Sequence, residues 1–186
     1  MDDVNNSKFD ALSIKLTNKL STEEKKKGGI FFTPPITIKC ILETHLKQYL
    51  DNNIKTILEP SCGSCEFIKG INSLYPTKHF KITAIENNKT IYQDIEQKYK
   101  DNKNITILNK NFLKYNITKK YDLIIGNPPY FVLSKEQKET KKKEEKEPEY
   151  DIEYNEYFDG RPNIFILFIL KSLKLLKVNG ILSFVV

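Results

Sequence analysis

Short apolar runs alternate along this 186-residue chain with longer segments of helical periodicity. An apolar run of four to eight residues rich in β-branched side chains is typical of a strand buried on both faces. Such strands, separated by helices, favour an α/β fold with a mostly parallel, doubly wound sheet. The pattern predicts strands at 55–59, 80–85, 105–108, 121–126 and 181–186, and helices at 35–50, 66–74, 89–100 and 164–176.

The first 27 residues differ from this alternating region. They are polar, carry leucines at helical spacing (Leu12, Leu16 and Leu20) and end in three lysines. We predict an N-terminal polar, helical extension over 1–27 and one domain over 28–186. Within that domain, 135–149 carries equal numbers of lysines and glutamates, which predicts a charged mobile loop. The last apolar run would be an uncovered edge strand. We therefore expect either a truncated domain or a partner chain that completes the sheet.

Composition narrows the class of protein. No apolar stretch approaches the roughly 18 residues of a membrane span, and the N-terminus lacks a signal-peptide pattern. We expect no membrane association and a cytoplasmic protein, or a nuclear one in a eukaryotic or viral setting. The net charge of +6 favours nucleic acid as a partner.

Cys62 and Cys65 form a C-x-x-C, which leaves zinc or redox chemistry open, but the remaining cysteine and histidines stand at no familiar zinc spacing. We predict no metal.

The tetrapeptide Asn127-Pro128-Pro129-Tyr130 directly follows the predicted strand 121–126. It therefore lies at a strand's carboxyl end, where open α/β sheets bind ligands. Two prolines stiffen it and remove two N–H donors. An amide side chain, a fixed carbonyl and an aromatic ring can together hold a planar exocyclic amine. An ordinary proline turn with a packed tyrosine is the alternative.

Three further strand ends carry polar residues. Glu59 ends the first strand and opens a loop with glycine, where a ligand can approach the backbone closely. The acid in that loop argues for a ligand with a positive group, such as an amine or sulfonium. Glu86 ends the second strand, a position that suits ribose hydroxyls. Asn111 and Phe112 follow the third and could bond and cover an adenine ring, although Phe112 could equally be a core residue.

These motifs, in this order, resemble the amino-methylating DNA methyltransferases, specifically the N6-adenine class. The segment 29–35 is similar to that class's N-terminal cofactor motif, and 58–67 is similar to its LEPxCGxGxF loop. Asn127 to Tyr130 looks like the catalytic tetrapeptide, and 163–186 resembles the helix and strand that follow it. The chain departs from the pattern at Cys65, where the family usually has glycine, and at Asn111, where it has aspartate.

The resemblance implies a Rossmann-like fold that binds S-adenosyl-L-methionine (AdoMet) across the strand ends, without the family's last strands and target-recognition domain. A further domain or a partner chain would then read double-stranded DNA. Catalysis would depend on Asn127, Pro128, Pro129 and Tyr130 acting on a flipped adenine. Cofactor binding would depend on Thr33, Glu59, Pro60, Cys62, Gly63, Glu86, Asn111, Phe112 and Asn127. Two alternatives stay open: methylation of a glutamine amide or an RNA base amine, and a non-catalytic subunit with a methyltransferase fold.

Overall fold

A computed structural model describes residue 9 and residues 11–132 and 163–186. The predicted charged loop, 135–149, lies outside these residues. Five strands are β1 (Thr56–Glu59), β2 (Lys81–Glu86), β3 (Ile105–Asn109), β4 (Tyr121–Gly126) and β5 (Leu176–Phe184). The helices are α1 (Ala11–Lys19), α2 (Thr22–Gly28), α3 (Pro35–Cys40), α4 (Lys47–Asn52), α5 (Glu66–Leu74), α6 (Lys89–Tyr99) and α7 (Ile164–Leu175).

The strands form one parallel sheet in the order β3-β2-β1-β4-β5. This confirms the predicted α/β doubly wound fold. The strand order reverses direction between β1 and β4, where Ile57 pairs with Leu123 and Leu58 with Ile124. Ligands of open α/β sheets bind outside the strand ends at such a reversal. The loops after β1 and β4 therefore flank the expected binding position.

Alternate side chains of each central strand point to opposite faces of the sheet, and each face has its own apolar core. Ile57 of β1 packs in the first core, whereas its neighbour Leu58 packs in the second. The first core also takes in the buried faces of α1 and α3 to α6. The second core contains Ile164, Leu167 and Phe168 of α7 together with Phe112. A sheet covered on both faces explains why its strands read as continuous apolar runs.

The N-terminal segment, predicted to be helical, forms two helices, α1 and α2. Ser21 separates them: its hydroxyl accepts from Glu24 N (3.1 Å), and Glu24 Oε2 accepts from Ser21 N (2.8 Å). This reciprocal pair is a capping box, which starts α2. Leu16 and Leu20 are buried in the first core. The division into an extension and a domain stays a prediction.

A π-helical turn over Ile41–His45 interrupts the single helix predicted for 35–50. The Thr44 hydroxyl donates to the Cys40 carbonyl (2.5 Å), and Leu46 N reaches back five residues to the Ile41 carbonyl (3.1 Å). The threonine thus competes with the backbone for an acceptor within the helix. The buried face survives the interruption, since Ile38, Leu42, Leu46 and Leu50 are all in the first core.

The last strand begins earlier than predicted. Helix α7 ends at Leu175, and Leu176 already pairs with Tyr121, followed by an irregular register before Leu123 pairs with Ile181. Asn179, within this strand, has a positive φ (62°). Among the described residues, no helix has the length and apolar content needed to cross a bilayer.

Candidate active site

A cleft of about 290 Å³ lies along the carboxyl ends of β1 to β4. Seven residues predicted from sequence line it: Pro60, Gly63, Glu86, Asn111, Phe112, Asn127 and Pro129. They come from four strand ends that are far apart in sequence, and the sheet brings them together. The size is at the lower end of small-molecule sites.

Hydrogen bonds fix Asn127 at three points. Its Nδ2 donates to the Phe31 carbonyl (3.3 Å), and its own backbone carbonyl accepts from the Ser61 hydroxyl (3.0 Å). Its Oδ1 accepts from the Tyr130 hydroxyl (2.6 Å). A carbonyl oxygen has two lone pairs, so Oδ1 can accept one further hydrogen bond. The amide is thereby oriented before any ligand arrives.

Tyr130 lies beside the cleft without lining it. Its hydroxyl, besides donating to Asn127, contacts the Val185 carbonyl of the segment after β5. The ring is 6.3 Å from the ring of Phe31 and 6.1 Å from that of Phe165, between centroids. Pro128, between the two functional side chains, is buried. The tetrapeptide is therefore held by both the N-terminal loop and the last strand.

Gly29 lets the N-terminal loop approach the tetrapeptide. Its φ is +56°, and a Cβ at this position would lie 2.7 Å from Tyr130 N and 3.2 Å from Pro129 Cβ. Any side chain would therefore collide with backbone. This contact explains in physical terms why a glycine precedes the Thr-Pro-Pro segment.

Glu86 is buried at the end of β2 and faces the cleft. Its two oxygens accept from Gly63 N (3.0 Å) and Asn88 N (2.6 Å). Burial raises the pKa of its carboxyl to about 7, against the lowering effect of the backbone donors. The side chain thus ties the loop after β1 to the loop after β2, and it titrates near neutral pH.

The loop after β1 turns through two left-handed residues, Gly63 (φ 50°) and Cys65 (φ 62°). Cys65 is fully buried and immediately precedes α5. Its position is thus one that glycine would occupy without strain. Cys62 is buried and free, and burial raises the pKa of its thiol. In the described part of the chain, no three potential metal ligands come together.

A second, smaller cavity of about 20 Å³ adjoins the cleft, because Phe31, Phe32, Ser61, Gly63 and Asn127 line both. Three predicted cofactor residues line it rather than the cleft: Thr33, Glu59 and Cys62. Glu59 is only 2% exposed, and its Oε2 accepts no hydrogen bond from any residue that the structure describes. Burial first, and then the charges of nearby groups, raise its pKa well above the usual range. A buried, unpartnered carboxylate is costly unless a ligand supplies the missing donor.

Asn111 and Phe112 lie in the cleft just after the carboxyl end of β3. Asn111 Oδ1 accepts a hydrogen bond from Leu113 N (3.0 Å), which orients the side chain. The amide N–H groups and the second lone pair of Oδ1 can then bond a ligand. Phe112 both lines the cleft and packs in the second core, 5.0 Å from the ring of Phe168. Both expectations for Phe112, core residue and cleft wall, therefore describe its position.

Sequence reasoning assigned no role to several cleft residues, among them Ser61, Lys110 and Phe168. Ser61 is next to Pro60 in the loop already singled out, and its bond to Asn127 is visible only once β1 and β4 are paired. Lys110 directly precedes Asn111, so its place after β3 was a usable signal. Phe168 comes from α7, and nothing local distinguishes it from a core residue.

Residues 7–186 match the family described as Eco57I restriction-modification methylase. Type II methyltransferase M.AccI of Acinetobacter calcoaceticus is 33% identical over 172 residues, which are 91% of this chain and 30% of that protein. Modification methylase CviBIII of Paramecium bursaria Chlorella virus NC1A is 32% identical over 168 residues, 90% of this chain and 40% of that protein. The chain thus spans well under half the length of these relatives.

Two further similarities bear on fold and reaction class. A release factor glutamine methyltransferase of Borreliella burgdorferi is 36% identical over 135 residues, 68% of this chain and 46% of that protein. Among solved structures, a class I S-adenosylmethionine-dependent methyltransferase described as putative, from Listeria monocytogenes, has a TM-score of 0.58 at 17% identity. It covers 94% of this chain and 54% of that one. At that identity the likeness shows the fold, which is the class I methyltransferase fold.

Proposed function

Because the chain belongs to the Eco57I restriction-modification methylase family, we propose that it transfers a methyl group from AdoMet to the N6 amine of a flipped adenine in double-stranded DNA. The restriction-modification family and the relatives named as a type II methyltransferase and a modification methylase support methylation of DNA. The choice of adenine N6 depends on the tetrapeptide and on the resemblance drawn from the sequence.

The cleft and the small cavity suit the parts of AdoMet. Glu86 would accept hydrogen bonds from the ribose hydroxyls, with Asn111 and Phe112 at the adenine. Thr33, Glu59, Cys62 and the loop after β1 would surround the methionine portion. The unpartnered Oε2 of Glu59 is an observation that supports this fit, because the methionine ammonium carries the donors that the oxygen lacks.

Asn127 Oδ1 and the Pro128 carbonyl would accept the two N6 hydrogens of adenine, while the ring of Tyr130 stacks on the base. The N6 lone pair would then be directed at the methyl carbon. The new N–C bond forms as the C–S bond breaks, S-adenosylhomocysteine leaves, and the extra N6 proton passes to solvent. Positioning and fixed dipoles carry such a step.

One observation carries the proposal: Asn127 lines both cavities and is held by hydrogen bonds to two other segments, at Phe31 and Ser61, and to Tyr130 of its own tetrapeptide. An ordinary proline turn needs no such support of its asparagine. Recognition of the DNA sequence is assigned to a further domain or a partner chain, as in the class that the sequence resembles.

Asn127→Ala tests the proposal. We expect methyl transfer to fall below detection, because the amine loses one of its two proposed acceptors. The dissociation constant for AdoMet should stay within about threefold, because the other residues assigned to the cofactor, Glu59 and Glu86 among them, are unchanged. The assay is transfer of labelled methyl groups to unmethylated DNA, followed by nucleoside analysis. Label in N6-methyladenine is the expected product.

The same assay separates the alternatives. Label in cytosine, in RNA or in a protein glutamine would contradict the adenine assignment. A variant that still methylates would remove the role given to Asn127. Asn102→Ala, an exposed asparagine at the opposite end of the sheet, is the matched control and should change neither binding nor transfer.

A further inference from the structure

The small cavity beside the cleft is bordered by two carboxylates, Glu59 and Glu66. Its volume of about 20 Å³ fits one water-sized group, since roughly 10–15 Å³ of this measure holds a single water. Neither the resemblance nor the relatives assign a role to Glu66. It is the first residue of α5, where an acid is common because it offsets the helix dipole.

Glu66 is held far more firmly than a helix-dipole contact requires. It is 7% exposed, and its Oε1 accepts from the Ser13 hydroxyl, from the Ser64 hydroxyl (3.3 Å) and from the Lys69 ammonium (3.1 Å). Ser13 belongs to α1 and is fully buried. It also lies 2.9 Å from the Ser64 hydroxyl. A helix from the N-terminal segment therefore fixes a side chain on the wall of the cavity.

The wall of the cavity lacks one hydrogen-bond donor. Lys69 pairs with Glu66, whereas no described residue donates to Oε2 of Glu59, and burial raises the pKa of Glu59 well above its usual range. A cation beside that oxygen would supply the missing donor and favour the ionised form of Glu59. A primary ammonium has three donors, no acceptor and the size of a water molecule, so it meets the charge, the donor and the volume requirement together.

We propose that Glu66 is a second carboxylate ligand, with Glu59, of the α-ammonium group in the methionine portion of the cofactor, and that Ser13 of α1 is its positioning residue. This assignment rests on the proposed use of AdoMet. It extends the cofactor site to the N-terminal segment, which no motif in the sequence marks as part of it.

Three ligands that differ in their ammonium and carboxylate groups test the role of Glu66; decarboxylated AdoMet also carries a sulfonium, whereas the other two are thioethers. S-adenosylhomocysteine has the ammonium and a carboxylate, decarboxylated AdoMet has the ammonium alone of these two, and 5′-methylthioadenosine has neither. Calorimetric titration of Glu66→Gln should show roughly tenfold or greater loss of affinity for the first two ligands. Affinity for 5′-methylthioadenosine should stay within about twofold, because it does not enter the small cavity.

The matched control is Glu43→Gln, which removes a carboxylate that is exposed and lines neither cavity. It should leave all three affinities unchanged. An equal loss for all three ligands in Glu66→Gln would show that Glu66 only shapes the loop, and unchanged affinities would show that it does not touch the ammonium; either result overturns the inference. If the wild-type chain binds none of the three ligands, the cofactor assignment itself fails.

Ser13→Ala tests the positioning role. Alone, it should weaken S-adenosylhomocysteine binding several-fold and spare 5′-methylthioadenosine. In the Glu66→Gln background it should cause no further loss, because its effect passes through Glu66. Additive losses in the double variant would overturn the proposed route from α1 to the cavity.

Discussion

At the scale of single residues, Cys65 combines complete burial with a left-handed backbone (φ 62°). In the replacements Cys65→Ala and Cys65→Gly the sulfur is lost equally, so their difference isolates backbone strain. We predict that the glycine variant is more stable than the alanine variant by about 1 kcal/mol. Urea denaturation followed by circular dichroism measures this difference.

Lys100 provides the matched control, because it is exposed and has φ −53° at the end of α6. There the order should reverse, with alanine the more stable replacement. The same order at both positions would show that Cys65 is not strained by its backbone.

The raised pKa of Glu86 predicts how the affinity for the cofactor depends on pH. Its pKa in the free protein is raised to about 7, and ribose hydroxyls donate best to the ionised carboxylate. Binding therefore favours the ionised form, so affinity for S-adenosylhomocysteine should increase from pH 6 to about 7 and level off above it. Over the same range the free protein should lose stability, since the folded state keeps a proton that the unfolded state has released.

Calorimetry in two buffers of different ionisation enthalpy checks this, because proton release should accompany binding at pH 6 and vanish at pH 8.5. Glu59 is a second buried carboxyl with a raised pKa and acts in the same direction. Glu59→Gln is therefore the control, and the release that remains in it belongs to Glu86. Affinity that does not change with pH would contradict the role of Glu86.

The location of a residue in the cleft was predictable from sequence where that residue lies at the end of a predicted strand. Glu86 and Asn127 directly follow or end buried strands, so their place in the cleft follows from chain order and sheet geometry. Glu66 was not predictable as a ligand, because an acid in the first turn of a helix is ordinary. Its position depends on a hydrogen bond from Ser13, which lies fifty-three residues earlier, and no local sequence pattern predicts that bond.

At the scale of elements, the loop before α3 and the loop after β4 meet at Gly29. Gly29→Ala should destabilise the protein by about 1–3 kcal/mol, since the new Cβ would lie 2.7 Å from Tyr130 N at a positive φ. It should also reduce methyl transfer more than cofactor binding, because it displaces the tetrapeptide. Thermal unfolding and the transfer assay measure the two effects.

Gly28→Ala is the neighbouring control. Its added Cβ would approach only the side chain of Ile30, which can move aside. We expect a much smaller change in both stability and transfer. If both variants behaved alike, the contact between Gly29 and the tetrapeptide would not control its position.

Elements with sharp chemical boundaries were predicted well. Helix α5 and strand β4 have the predicted limits, because a glycine-containing loop precedes one and a Gly-Asn-Pro step follows the other. The single helix over 35–50 was wrong, since a threonine hydroxyl competes for a carbonyl inside it. The early start of β5 depends on pairing of Leu176 with Tyr121, which is a contact between distant parts of the chain.

At the scale of the whole molecule, α1 shares a core with the sheet. Leu16 is fully buried in that core, so Leu16→Ala should cost about 2–5 kcal/mol of unfolding free energy. Ile14, on the same helix, is 48% exposed, and Ile14→Ala should change stability by no more than about 0.5 kcal/mol. Urea denaturation of both variants tests whether 1–27 is an extension or an integral part. A main transition unaffected by Leu16→Ala would favour the extension.

The pairing of β1 with β4 also limits where residues can be inserted into or deleted from this chain. Leu58 of β1 pairs with Ile124 of β4. Glu59 comes one residue after Leu58, and Asn127 comes three residues after Ile124. Deleting one residue from either short stretch would shift one site loop by about 3.3 Å and turn its side chains to the other face. The connections 100–104 and 116–120 lie outside that pairing and beyond the residues that line the cleft, so they can change length without moving either loop. Insertions and deletions that preserve activity should therefore fall there, and the spacing from Leu123 to Asn127 should stay fixed.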